Sequence, residues 1–315
     1  MPEARRFSWG LAWLLAIFMI VVPPVFMLAP LVTLLLVSRP SSGREWFWLV
    51  AGSVLVVLSV VPGDGLSAGF VRATGVLATG AFVALSIWRP DELFRRAAWA
   101  AGLGLLAALL WTAWLGYGWN DVERAIGTEL RELFLTQAGA AESRALGGIL
   151  TQSLREMADG APRSAAFYPA LLTLTTIAGL AIAWRGYHWI ARRPLGSEGG
   201  PFASFRFSDQ AVWLLALSLA VVLLPDTGVA LFGSPIERWA ANLLVVVVAL
   251  YVARGLAIFA VVAKRTPRAV LIAVAIASAV LWPFAASGLA LLGLADSWVD
   301  FRRRLESPPT GGTER

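Results

Sequence analysis

The chain has 315 residues, of which 58% are hydrophobic and only 15% are charged, and its mean hydropathy is +0.72. A water-soluble domain carries roughly 25% charged residues, so the composition excludes that class, and the net charge of +6 fits the loop arginines of a membrane protein better than a nucleic-acid-binding face. The chain has no cysteine and one histidine, which excludes disulfides and the usual Cys- or His-based metal sites and predicts no cofactor.

Long apolar runs follow one another along the sequence and predict an all-α, polytopic helical membrane protein. Eight runs reach or approach the roughly 20 residues that a helix needs to cross a bilayer. They cover residues 8–38, 46–61, 66–88, 97–117, 165–190, 210–224, 239–262 and 269–295. The first and last are long, and they are interrupted at Pro23, Pro24 and Pro283. Ten crossings result if both long runs are hairpins, and eight result if both are single tilted helices.

Arginines lie in short clusters between most of these runs, which is typical of cytoplasmic loops. All the clusters can be cytoplasmic only with ten crossings, and each half of a broken run then spans about 21 Å of a hydrocarbon core roughly 30 Å thick. Eight crossings leave at least one cluster on the wrong side. We expect both termini in the cytoplasm. The first run has no A-x-A-like cleavage site, so we expect it to remain as a membrane segment.

A polar stretch at residues 118–164 separates two groups of membrane segments. It contains five arginines and seven acidic residues, so the positive-inside rule places it outside the cytoplasm. Apolar residues at helical spacing predict two amphipathic helices, which lie on the membrane surface, cap a cavity or pack on the rest of the protein. The predicted domains are N-terminal membrane helices at 1–117, this extracytoplasmic amphipathic hairpin at 118–164, C-terminal membrane helices at 165–304 and a disordered cytoplasmic tail at 305–315.

The candidate binding residues are four polar side chains in the apolar runs, namely Asn242, Arg254, Arg185 and Tyr187. Arg254 lies nine residues before Ala263, about 13 Å from the cytoplasmic end of its run. A charge at that depth costs roughly 3 kcal/mol, so we expect it to face a carboxylate, carbonyls or water inside the protein, or the anionic group of a ligand. Asn242 can bond across helices, whereas Arg185 can snorkel to the interface.

No motif of a known catalytic class is present in the sequence. It has no P-loop, no H-E-x-x-H and no G-x-S-x-G pattern, and each of these patterns places a nucleophile, a metal or a phosphate by a defined local structure. The sequence therefore does not predict an enzyme.

The C-terminal stretch LADSWVDFRRR carries a predicted structural motif made of Asp296, Trp298, Asp300 and Arg302. Asp300 is followed by arginines at the favourable spacings of three and four residues. Asp296 has no cation at either spacing, so it needs a partner elsewhere, and Arg265 and Arg268 are the expected candidates. We expect both aspartates to be structural and not catalytic.

The ending LLGLADSWVDFRRR resembles the C-terminal signature of the YybS-like bacterial inner-membrane proteins, a DUF2232-type family of unknown function. The stretches GYHWIARRPLG, FASFRFSDQAVWLL and NLLVVVVALYVARGLAIF resemble further pieces of that family in the same order. The resemblance is good over residues 165–304 and general over the first half. Two positions depart from the family pattern, because Gly186 replaces the usual Asn and Arg254 stands where the family has Gln.

The resemblance implies a helical fold in the bacterial inner membrane and a distant relation to the S components of energy-coupling factor transporters. That relation implies small-molecule binding and a partner membrane subunit in addition to the lipid bilayer. The leading hypothesis is a transporter-like protein that binds an unidentified small molecule in a polar cavity near Asn242 and Arg254. The alternative is a structural or assembly protein of the cell envelope with no ligand.

Overall fold

A computed structural model describes residues 23–60, 65–89, 92–143, 148–223, 234–263, 266–299 and 301. The regular structure in these ranges is helical, which confirms the predicted all-α class for the part of the chain that the structure describes. The chain forms two compact units, Met1–Gly199 and Gly200–Arg315.

The helices follow the apolar runs closely. The first unit contains α1 (Val25–Val37), α2 (Gly43–Val60), α3 (Leu66–Trp88), α4 (Leu93–Trp114), α5 (Trp119–Ser143), α6 (Gly148–Ala165) and α7 (Tyr168–Ile190). The second unit contains a 3₁₀ turn (Phe202–Ser204), α8 (Ala211–Leu223), α9 (Ser234–Ala263), α10 (Arg268–Val280) and α11 (Trp282–Val299). Apolar run length thus predicted the helices outside the polar stretch, and α3 has the predicted bounds.

The core of the first unit forms because small residues let helix backbones approach one another. A Cβ added to Gly179 would lie 2.6 Å from the carbonyl oxygen of Phe26, and one added to Gly104 would lie 2.6 Å from the Cβ of Ala78. Helix α7 therefore rests directly on α1, and α4 rests on α3. Large buried side chains fill the remaining space, including Leu34, Phe82, Leu180, Trp184 and Tyr187.

Helices α5 and α6 occupy the polar stretch and pack against each other in opposite directions. A Cβ added to Gly127 near the start of α5 would lie 3.3 Å from the Cα of Pro162 near the end of α6. At the other end of the pair, Nη2 of Arg155 donates to Oε2 of Glu142 at 2.7 Å. The extracytoplasmic position of this pair stays a prediction.

Helices α10 and α11 meet at a sharp bend of 111°. The bend falls between Val280 and Trp282, where the sequence predicts a break, and Pro283 sits in the first turn of α11, where a missing N–H costs little. The other predicted break, at Pro23 and Pro24, follows residues 8–22, which lie outside the described part of the chain. Helix α1 begins directly after Pro24.

The predicted eight to ten membrane crossings are not confirmed. Within the described residues, four helices are long and apolar enough to cross a membrane, or five if the bent pair counts as one span. The four are Leu66–Trp88, Leu93–Trp114, Tyr168–Ile190 and Pro235–Ala263. Helices α1 and α8 have only 13 residues each, about 20 Å, so they fall short of the core thickness by themselves.

Candidate functional site around Arg254

The two short helices α8 and α11 meet the long helix α9 at Arg254. Helix α8 begins at Ala211, two residues after Asp209, and α11 ends at Val299, three residues after Asp296. Both aspartates contact Arg254, so the start of one short helix and the end of the other lie beside the same part of α9. Helix α9 extends about 30 Å before Arg254 and about 13 Å after it. The contact is therefore made well inside α9.

Glycines bring α9 and α11 into backbone contact beside this arginine. A Cβ added to Gly255 would collide with the carbonyl oxygen of Leu289, and one added to Gly293 would collide with the carbonyl oxygen of Tyr251. Close approach of this kind is what small residues provide in membrane helices. It holds the end of α11 within reach of the Arg254 side chain.

The guanidinium of Arg254 donates three hydrogen bonds to the two aspartates. Nε donates to Oδ2 of Asp296 at 3.0 Å, and Nη2 donates to the backbone carbonyl oxygen of Asp296 at 3.2 Å. Nη1 donates to Oδ1 of Asp209 at 2.8 Å. Arg254 is only 3% exposed, so it faces the interior against a carboxylate and a carbonyl, as the sequence predicts.

Asp296 closes the last turn of α11. Its Oδ1 accepts the backbone N–H of Phe301 at 3.0 Å, while its Oδ2 accepts from Arg254. A carboxylate at a helix C-terminus is repelled by the helix dipole, and the guanidinium offsets that repulsion. The charged partner of Asp296 within the described residues is Arg254, which packing brings close from 42 residues away and which was not among the expected candidates. Of those candidates, Arg265 lies outside the described residues.

Aromatic and hydroxyl groups surround the guanidinium. Its Cζ lies 5.5 Å from the ring centroid of Phe207, and that ring packs edge-on against Tyr251 at 5.1 Å between centroids. The buried hydroxyls of Tyr251 and Ser297 lie close together, and neither has a hydrogen-bond partner among the described residues. This pair places a buried polar spot beside the charged cluster.

The two carboxylates are unequal in exposure. The side chain of Asp296 is 0% exposed, whereas that of Asp209 is 65% exposed. Removing one partner of a fully buried ion pair costs about 3–5 kcal/mol, whereas loss of the exposed Asp209 carboxylate leaves the buried counter-ion of Arg254 in place. Asp296 is therefore the fixed counter-ion of Arg254, and Asp209 is the readily exchanged one. The described residues contain no group of three or more acidic or histidine side chains that could hold a metal ion.

The family model described as "Predicted membrane protein (DUF2232)" matches residues 10–297. The chain belongs to this family. The match agrees with the resemblance to the YybS-like proteins. Nothing among curated proteins or solved structures matches the chain.

The other predicted binding residues of this DUF2232 protein make local contacts of their own or are exposed. Asn242 lies twelve residues before the arginine, about 18 Å along the helix, and its Nδ2 donates to the carbonyl oxygen of Arg238 at 3.0 Å. In the first unit, the buried hydroxyl of Tyr187 accepts the backbone N–H of Leu195 at 2.9 Å, and Arg185 is exposed. A binding role for these residues stays a prediction.

The C-terminal motif of this DUF2232 protein is only partly described. Asp296 is buried, whereas Trp298 is 68% exposed on the opposite side of the helix end. Asp300 and Arg302 lie outside the described residues. The structural role predicted for the motif therefore rests on Asp296.

Glu45 is a second buried carboxylate, and the sequence analysis overlooked it. Its Oε2 accepts the backbone N–H groups of Ser41 and Ser42 at 2.8 Å each, and its Oε1 accepts that of Arg192 at 2.7 Å. These bonds, led by that from Arg192 and opposed by burial, lower the pKa of Glu45 from 4.5 to about 2. Glu45 thus ties the end of α7 to the start of α2. The capping-box spacing of Ser42 and Glu45 was the available signal.

Proposed function

We propose that this protein is a transporter-like integral protein of the bacterial inner membrane that binds a small carboxylate-bearing molecule at Arg254. The observation that carries the proposal is the unequal pairing of the guanidinium with one buried and one exposed carboxylate. Arg254 lies within the candidate span Pro235–Ala263, and ionisable residues inside membrane helices usually serve function.

Asp209 occupies the position that the carboxylate of a ligand takes in this proposal. It precedes α8 and is largely exposed, so moving it away disturbs no helix. Exchange of its carboxylate for that of a ligand leaves the charge around Arg254 unchanged, so no buried cation loses its compensation. The N-terminus of α8 lies beside the same position and favours negative charge there.

The helix arrangement supports a transporter-like protein over an envelope structural protein. Secondary transporters bind substrates where membrane helices are interrupted, and the helix ends contribute to the site. Helices α8 and α11 have 13 and 18 residues, about 20 and 27 Å, and the start of one and the end of the other both contact Arg254. The hydroxyls of Tyr251 and Ser297 provide a second polar contact for a bound molecule.

The proposed activity is binding, with no catalytic step, in keeping with the expectation that the protein is not an enzyme. Cytoplasmic termini and a partner membrane subunit remain part of the proposal. ATP-driven transport in this setting requires a separate ATPase, because the sequence has no nucleotide-binding loop.

The test is a thermal-shift series on the purified protein in detergent with acetate, lactate, benzoate, succinate and inorganic phosphate. At least one carboxylate should raise the melting temperature of the wild type. Asp209→Asn should enlarge that shift, because the competing carboxylate is gone, and Arg254→Gln should abolish it. Asp121→Asn is the matched control, since it removes another exposed carboxylate that pairs with an arginine, Arg124.

Equal shifts in the wild type, Asp209→Asn and Arg254→Gln across the whole series would contradict ligand binding at Arg254. The arginine would then be a structural cation only. The envelope protein without a ligand would become the better account.

A further inference from the structure

The apolar face of α6 is an interaction surface that the packing of the first unit leaves uncovered. At about 100° per residue, the helix divides into three sectors. The sector packed on α5 contains small buried residues, among them Ala158 and Ala161. The second sector is polar and exposed, and it contains Gln152, Arg155 and Asp159. The third is apolar and exposed, and it contains Ile149, Leu150 and Met157.

Helix α5 shows where this surface lies relative to the membrane spans. The ring of Trp119 contacts that of Phe70 at 5.8 Å between centroids, and ten residues later Glu129 accepts a hydrogen bond from Ser67. Over that distance α5 advances about 15 Å, while its contact on α3 moves by only about 4.5 Å. Helix α5 therefore runs across the end of α3, nearly in the plane of the membrane.

The part of α5 beyond Glu129 extends past the bundle of spans. Leu133 lies on the same helix face as Val122 and Ile126, eleven and seven residues earlier. Those two side chains are buried against the spans, but Leu133 is 50% exposed. The face that meets the spans near the start of α5 is therefore uncovered further along, where Leu133 is its large apolar side chain.

Aromatic residues mark the level of the membrane surface at the end of the pair that joins the spans. Trp114 and Tyr117 are exposed where α4 leads into α5, and Phe167 is exposed where α6 leads into α7. Exposed aromatic side chains at the ends of spans are typical of the membrane–water interface. The pair leaves the spans at this level, and because α5 runs nearly along the membrane plane, the rest of the pair remains within reach of lipid.

We infer that the distal half of the α5–α6 pair lies on the lipid surface, with Leu133, Ile149, Leu150 and Met157 inserted among the acyl chains. The insertion is driven by apolar burial, because acidic residues outnumber arginines in this stretch and give no attraction to anionic lipids. The occupant of the surface is therefore the bilayer, and zwitterionic lipid is sufficient.

The test uses single cysteines, which are unique labels because the natural chain has none. A small environment-sensitive fluorophore is attached at Ile149→Cys or Met157→Cys in the full chain, in phosphatidylcholine nanodiscs. Asp159→Cys is the matched control on the polar sector two residues away, and Leu103→Cys on α4 is the reference for an exposed position on a span. Quenching is measured with spin-labelled acyl chains and with aqueous iodide.

We expect lipid quenching at Ile149 and Met157 to match that at Leu103, with protection from iodide, and the reverse at Asp159. Iodide quenching of both apolar positions at the level of Asp159 would overturn the inference, because the face would then lie in water. Protection from both quenchers would also overturn it, since a protein partner or a second copy would then cover the face.

Discussion

Asp296→Asn should destabilise the protein far more than Asp209→Asn, although both substitutions remove a carboxylate that contacts the same guanidinium. Asp296 is fully buried, so its loss leaves Arg254 with a buried charge that only an exposed group compensates. Removing one partner of a buried pair costs about 3–5 kcal/mol. Removing Asp209, whose side chain is 65% exposed, leaves the buried counter-ion in place and should cost markedly less.

These free energies correspond to a clear difference in melting temperature. For chains of this order of size, 1 kcal/mol shifts the melting temperature by about 2–4 °C, so Asp296→Asn should lower it by about 10 °C. Thermal unfolding in detergent can be followed by intrinsic fluorescence, since the chain has 15 tryptophans. The double variant Arg254→Leu with Asp296→Leu should recover most of the loss, because apolar replacement of a buried pair is often neutral.

The reasoning would be refuted if Asp296→Asn melted like the wild type, or if Asp209→Asn lost as much stability. A double variant less stable than Asp296→Asn alone would also contradict it. In that case the cost would come from packing at the end of α11 and not from the uncompensated charge.

Three further predictions concern other parts of the chain. The stabilisation from Glu45 is present above pH 4.5 and is lost as the pH falls towards about 2. The melting temperature should therefore fall more steeply over that pH range in the wild type than in Glu45→Gln. Equal slopes of melting temperature against pH would contradict this. Gly293→Ala should lower the melting temperature strongly, because the added Cβ collides with the backbone of α9. Gly80→Ala should leave it unchanged, because the added Cβ has open space around it. Similar effects of the two substitutions would argue against backbone contact between α9 and α11. An impermeant thiol reagent on intact cells should label Gly139→Cys but not Ser307→Cys, and the opposite pattern would reverse the topology.

Prediction from the sequence was most successful for features that depend on a single helix and its surroundings. Apolar run length gave the bounds of α3, and the proline pattern gave the break between α10 and α11. The cost of burying a charge predicted that Arg254 faces inward. Each of these inferences needs only the local sequence and the solvent, so no knowledge of neighbouring helices was required.

Contacts between distant segments could not be predicted in the same way. The expected partners of Asp296 were Arg265 and Arg268 in the preceding basic cluster, but the structure pairs it with Arg254, 42 residues away on α9, where glycines rather than charge pattern bring the helices together. Asp209 gave no signal, because a single aspartate in a polar linker reads as ordinary solvated sequence. The capping-box spacing of Ser42 and Glu45 was a signal for Glu45. Nothing in the local sequence indicated that the backbone N–H of Arg192, after the end of α7, donates a third hydrogen bond to it.

Native mass spectrometry of the protein released from detergent, with the same carboxylate series added, tests the central claim most directly. The wild type should carry one small carboxylate-bearing molecule, Asp209→Asn should retain it, and Arg254→Gln should appear without it at the same concentrations. Identical spectra for the wild type and Arg254→Gln, whether both are bare or both carry the same molecule, would contradict binding at Arg254.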